Sequence, residues 1–88
     1  MEDSRSHKAV ALRYDQEKDA APLVVAKGRG LIAERIKIIA EENDIPLRQD
    51  KSLADYLMAL DLYEEIPAEL YLVIAEILAF VYSMDKKY

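Results

Sequence analysis

An 88-residue chain with a net charge of −5 and no cysteine makes one small domain with a thin core. Its acidity argues against nucleic-acid binding, which needs clustered Lys and Arg along a phosphate track, and against an anionic membrane surface as the main partner. The lack of cysteine removes disulfides, thiol nucleophiles and thiolate metal sites, in keeping with a reducing cytosol.

Residues 1–7, polar and mixed in charge, read as a flexible N-terminal arm and not as a signal peptide. Residues 8–88 read as a single domain. Residues 8–14 have strand character, with Val10, Leu12 and Tyr14 on one face and small alanines on the other that suit packing under a helix. A polar connector, 15–19, leads to Ala20-Ala21-Pro22 and a second apolar strand, 23–26, with Pro22 at its start. Gly28 and Gly30 permit a tight strand-to-helix turn.

A helix follows from Leu31 to about Asn43, with Ile32, Ile36, Ile39 and Ala40 as its main apolar stripe. Leu31 and Ile38 lie a heptad apart on another side; they are either a satellite of the core or a patch facing a partner. Asn43 suits the left-handed residue that closes a helix. Residues 45–48 read as a short third strand, because Pro46 steers Ile45 away from helix. Ser52, with Asp55 three residues on, is expected to cap a helix over 53–60 that buries Leu53, Tyr56, Leu57 and Leu60.

The last helix starts at Pro67, a residue suited to the first helical position. Leu70, Val73, Ile74, Ile77, Val81 and Met84 share one face, and Tyr71, Ala75, Leu78 and Tyr82 form a stripe beside it. A helix apolar on most of its circumference has to be surrounded. Glu76 interrupts the run, so it is too short to span a membrane. The predicted class is α/β, α+β-like, in the order β-β-α-β-α-α: a small mixed sheet of about three strands with about three helices on its faces.

Nothing in the chain assembles a catalytic centre. His7 is the only histidine and lies on the arm, away from any nucleophile. Glu41, Glu42 and Asp44 lack the loop spacing of a calcium site and read as a solvated helix end. Gly28-x-Gly30 lacks the third glycine of a dinucleotide fingerprint. No cofactor and no metal are expected, and a binding module is favoured over an enzyme.

Three segments carry a resemblance to a known family. Residues 4–15, Ala20-Ala21-Pro22 with Val25-Ala26-Lys27-Gly28, and Ile66-Pro67 with Leu70-Tyr71 and Ala75-Glu76-Ile77-Leu78-Ala79 occur in order. Together they resemble the cytoplasmic domain of the FlhB family, the export-gate switch proteins of flagellar and virulence type III secretion. Family members join a membrane domain to a cytoplasmic domain that cuts itself at an Asn-Pro-Thr-His site. There the Asn side-chain amide closes a succinimide on its own carbonyl. Ser4 and Arg5 stand where Asn and Pro would be, Ser6 replaces Thr, and His7 alone matches. Serine has no amide nitrogen to close the ring, so self-cleavage is not expected.

The resemblance implies a cytoplasmic protein, peripheral at the membrane export apparatus, that binds export substrates or gate components. It looks like a freestanding counterpart of the downstream fragment, without the membrane helices and without the family's preceding strand. The family's cargo-docking patch would fall on Ala21, Pro22, Ala75 and Leu78, beside the Tyr71 and Tyr82 stripe. That stripe has two readings, core against the sheet or a shallow cargo groove. The alternative function is a homo-oligomeric structural or regulatory module unconnected to export. It would pair through an open edge of the first strand or through the Leu31 and Ile38 patch.

Overall fold

The computed structural model describes residues 7–15 and 17–77. Its frame is an antiparallel hairpin of β1 (Lys8–Arg13) and β2 (Leu23–Arg29). Lys8 stands opposite Arg29 and Ala11 opposite Ala26; the register then shifts, so that Leu12 faces Val24 and Val25 is the extra residue of a bulge. The connector is tied by Asp19. Its carboxylate accepts from Arg13 Nε at 3.2 Å, Arg13 Nη2 at 3.0 Å and the Asp15 N–H at 2.9 Å. The hydrogen bond from Arg13 holds the Asp19 carboxyl below its ordinary range and raises the guanidinium in return.

Gly30 takes a positive φ of 59° and turns the chain into α1 (Leu31–Glu42). Gly28 lets that helix sit close: a Cβ there would stand 2.8 Å from Ile32 Cβ and nearer still to its γ2 methyl. The close approach changes which face is buried. Ala33 and Ala40 are the buried residues of α1, whereas Ile32 and Ile39, expected in the main stripe, are 59% and 50% exposed. Alanine's small side chain allows a helix to approach a hairpin, and the isoleucines are displaced to its flank. Asn43 does not take the left-handed closing role. Its φ is −107°, its side chain donates to the Ile39 carbonyl at 2.8 Å, and Asp44 adopts the positive φ of 57°.

The expected third strand is absent among the described residues. Residues 45–50 are irregular, so the strand–helix–strand crossover and the three-strand sheet do not form there. The far edge of β2 is met by a later segment. Tyr63 N–H donates to Val24 O at 2.6 Å, Val24 N–H to Glu64 O at 3.2 Å, and Ile66 N–H to Pro22 O at 3.0 Å. Only one isolated bridge, Leu23 to Glu65, results. Ile45 N–H donates instead to Ala40 O at 2.8 Å, which ties this stretch back to the end of α1 and keeps it off the sheet.

α2 (Lys51–Met58) is capped by Asp50, whose carboxylate accepts from Leu53 N–H at 3.0 Å; Ser52 lies inside the helix. At its other end Lys27 reaches from β2 and donates to Met58 O at 3.0 Å and to Leu60 O. The last helix enters through a 3₁₀ turn, Ala68–Leu70, so Pro67 stands just outside it with ψ 151°; residues 71–77, here α3, are α-helical. The core is Val24, Leu57, Leu60, Ile66 and Ile74, with Val10, Leu12, Leu53, Leu70 and Ile77 packed on it. It therefore joins β2, α2 and α3. α1 lies against both strands without entering this cluster.

Candidate functional site

Sequence reasoning pointed to the last helix, and α3 is indeed two-sided. Ile74 is fully buried and Ile77 packs on the core. One turn earlier Tyr71 is 46% exposed and Leu72 82% exposed, and Ala75 is exposed too. The expectation of a helix surrounded on most sides fails at these three positions. The core reading of the Tyr71 and Ala75 stripe fails with it. Leu78 and Tyr82 lie outside the described residues.

The other half of the expected patch comes from the start of β2. Pro22 is half-buried, and its carbonyl takes the Ile66 N–H, which brings it beside the segment leading into α3. Ala21 is only 4% exposed. Buried to that degree, it offers little surface to a partner. Two residues that the sequence did not single out join this end of the molecule. Leu62 is 51% and Tyr63 66% exposed, and Tyr63 holds a positive φ of 66° while its N–H is fixed to Val24 O. An apolar pair between Asp61 and Glu64 was the available signal. Glu64 and Glu65 keep the surroundings acidic and exposed. Tyr56 braces the base of α3 by donating its hydroxyl hydrogen to Glu69, a bond that raises the phenol above its ordinary pKa.

The second expected patch is also on the surface. Leu31 is 76% and Ile38 50% exposed, so they are not a satellite of the core.

The cleavage-motif positions give little geometry. Ser4, Arg5 and Ser6 lie outside the described residues. His7 is held at the end of the hairpin: its carbonyl accepts from Gly30 N–H at 3.0 Å and its Nδ1 lies 3.4 Å from Glu34 Oε1. An open polar groove of about 380 Å³ runs past it, lined by His7, Lys8, Gln49, Asp50, Lys51, Ala54 and Asp55. Three of the charged side chains of the groove are engaged. Lys8 Nζ pairs with Asp55 Oδ1 at 2.5 Å, which holds that carboxyl below its ordinary range, and Asp50 caps α2. Among the described residues no three His, Asp or Glu side chains converge as metal ligands do, and no helix is long and apolar enough to cross a membrane.

Residues 5–81 match the family described as the FlhB HrpN YscU SpaS Family. The chain is 40% identical over 79 residues to the uncharacterized protein YlqH of Bacillus subtilis strain 168, covering 90% of this chain and 85% of that one. It is 43% identical over 82 residues to the flagellar biosynthetic protein FlhB of Escherichia coli K12, but spans only 22% of that protein's length. Its fold superposes on the cytoplasmic domain of FlhB from Shewanella putrefaciens with a TM-score of 0.80 and 36% identity, over 86% of this chain and 64% of that one. The fold, the ordered motifs and these similarities establish that the chain belongs to the FlhB/YscU family and has the fold of its cytoplasmic domain.

Proposed function

We propose that this chain is a non-enzymatic protein-binding module of type III export, acting in the cytoplasm at the export apparatus. Export substrates or gate components are its partners. One observation carries the reading: the helix that anchors the core through Ile74 presents Tyr71, Leu72 and Ala75 to solvent. Exposed aromatic and aliphatic side chains on a rigid, core-anchored helix are what a protein-docking site requires. Pro22, half-buried on the hairpin, lies beside the segment that leads into this helix.

Self-cleavage is not part of the role, because Ser4, which has no side-chain amide nitrogen, stands where the ring-closing Asn would be. The purified chain is expected to keep its full mass after days at neutral pH; a fragment starting at Arg5 would overturn this point. The role itself is tested in a strain whose FlhB is cut before its cytoplasmic domain. Supplying this chain is expected to restore motility or secretion, and the Ala75→Glu variant is expected not to. Failure of the wild-type chain, with its expression verified, counts against the proposal.

A further inference from the structure

We propose that α1 is a self-association surface through which two copies of this chain pair as antiparallel helices. This is independent of the α3 surface. Leu31, Ile32, Ile38 and Ile39 are between 50% and 76% exposed, which is unusual for four large aliphatic residues on one twelve-residue helix. At 100° per residue they share one broad stripe with Arg35 and Glu42, on the side away from the buried Ala33 and Ala40.

The two charges identify the occupant. Arg35 has only aliphatic residues three and four positions away on its own helix: Leu31, Ile32, Ile38 and Ile39. Glu42 has Ile38 and Ile39 behind it and Ile45 and Pro46 ahead. Among the described residues neither forms an ion pair; the pairs are His7–Glu34, Lys8–Asp55 and Arg13–Asp19. A twofold axis passing between Ile38 and Ile39 places Ile38 opposite Ile39 of the second copy and Arg35 opposite its Glu42. The symmetry makes each contact twice. At this register no acidic side chain meets another, since Glu34 falls opposite Asn43 and Glu41 opposite Ile36. Sliding one helix by a turn sets Arg35 against Ile38 and Glu42 against Leu31, so both charges would lose their partners. The stripe is self-complementary in one antiparallel register, as a second copy demands and an unrelated partner does not.

A contact one helix long, about 18 Å, falls below the ~800 Å² per partner of a standard stable interface, which implies a weak dimer with a dissociation constant on the order of 10–100 µM. Sedimentation velocity from about 5 µM to about 1 mM brackets that range. The expected result is a monomer–dimer equilibrium that Ile38→Glu abolishes. Arg35→Glu should weaken it by about tenfold, because two attractive contacts become repulsive, and Arg35→Glu combined with Glu42→Arg should restore it. Both charged positions are exposed, and far-UV circular dichroism checks that each variant folds. A wild-type chain that stays monomeric to about 1 mM overturns the proposal. So does a dimer that Ile38→Glu leaves intact, as pairing through the β1 edge would, or a double variant no better than Arg35→Glu alone.

Discussion

Ile74 and Leu72 lie two residues apart on the same helix, have the same hydrophobicity class, and are indistinguishable by composition. The structure assigns them opposite energies: Ile74 is 0% exposed and Leu72 82% exposed. Ile74→Ala removes three carbons' worth of buried apolar surface, about 0.8 kcal/mol for each, and leaves a cavity between Val24, Leu57, Leu60 and Ile66. Transfer and cavity together cost about 3 kcal/mol, within the roughly 2–5 kcal/mol seen for such truncations. A domain of this size has a total stability near the low end of about 5–15 kcal/mol, so roughly half of it would be lost. With about 4–8 °C of Tm per kcal/mol, the midpoint should fall by roughly 12–24 °C. Leu72→Ala deletes a side chain already in water and should stay within about 0.5 kcal/mol. Urea unfolding of the wild type and both variants, followed by circular dichroism at 222 nm, reads the contrast directly. Equal effects, or a loss below about 1 kcal/mol for Ile74→Ala, would refute the assignment of the last helix to the core.

The other predictions concern elements that hold the two surfaces in place. Asp50→Ala should cost about 0.5–2 kcal/mol as a lost helix cap, whereas Ser52→Ala should change stability by less than about 0.5 kcal/mol; chemical denaturation separates them. Lys27→Met should cost about 1–2 kcal/mol, because the Met58 and Leu60 carbonyls lose a charged donor. The Asp19 and Asp55 carboxyls are depressed in the folded chain by Arg13 and Lys8. Their stabilisation is therefore complete above the ordinary carboxylate range and fades as pH falls through their lowered values. Denaturant midpoints from pH 6 down to pH 2 should show that decline, and Asp19→Asn should flatten part of it.

Much of the frame was legible because it rests on local signals. The hairpin followed from two strand-like runs and a short polar connector, and α1 began where Gly30 allows the turn. The misreadings were non-local. Ile45 and Pro46 favour extended backbone, but the neighbour that β2 accepts is Tyr63 to Ile66, some forty residues from it, in a stretch that reads as an acidic link. Periodicity placed Ile32 and Ile39 in the α1 stripe. It could not reveal that the helix sits close enough over Gly28 for alanines to form the buried face. In the last helix the period correctly separated Ile74 from Tyr71 and Ala75. Whether the second stripe met protein or water depended on packing elsewhere in the chain. The placement of Leu62 and Tyr63 carries no local signal for the same reason: their segment is fixed by hydrogen bonds to β2 and Pro22, far away in the chain.

The proposed docking of export proteins on the solvent-facing side of α3 can be measured in solution. Titration of the purified chain with a purified flagellar export substrate, by isothermal calorimetry at fixed salt, tests it most directly. Saturable binding is expected, weakened by more than about tenfold in Ala75→Glu, equivalent to about 1.4 kcal/mol, with an unchanged circular dichroism spectrum. Absence of binding across several substrates, or equal binding by wild type and variant, would contradict it.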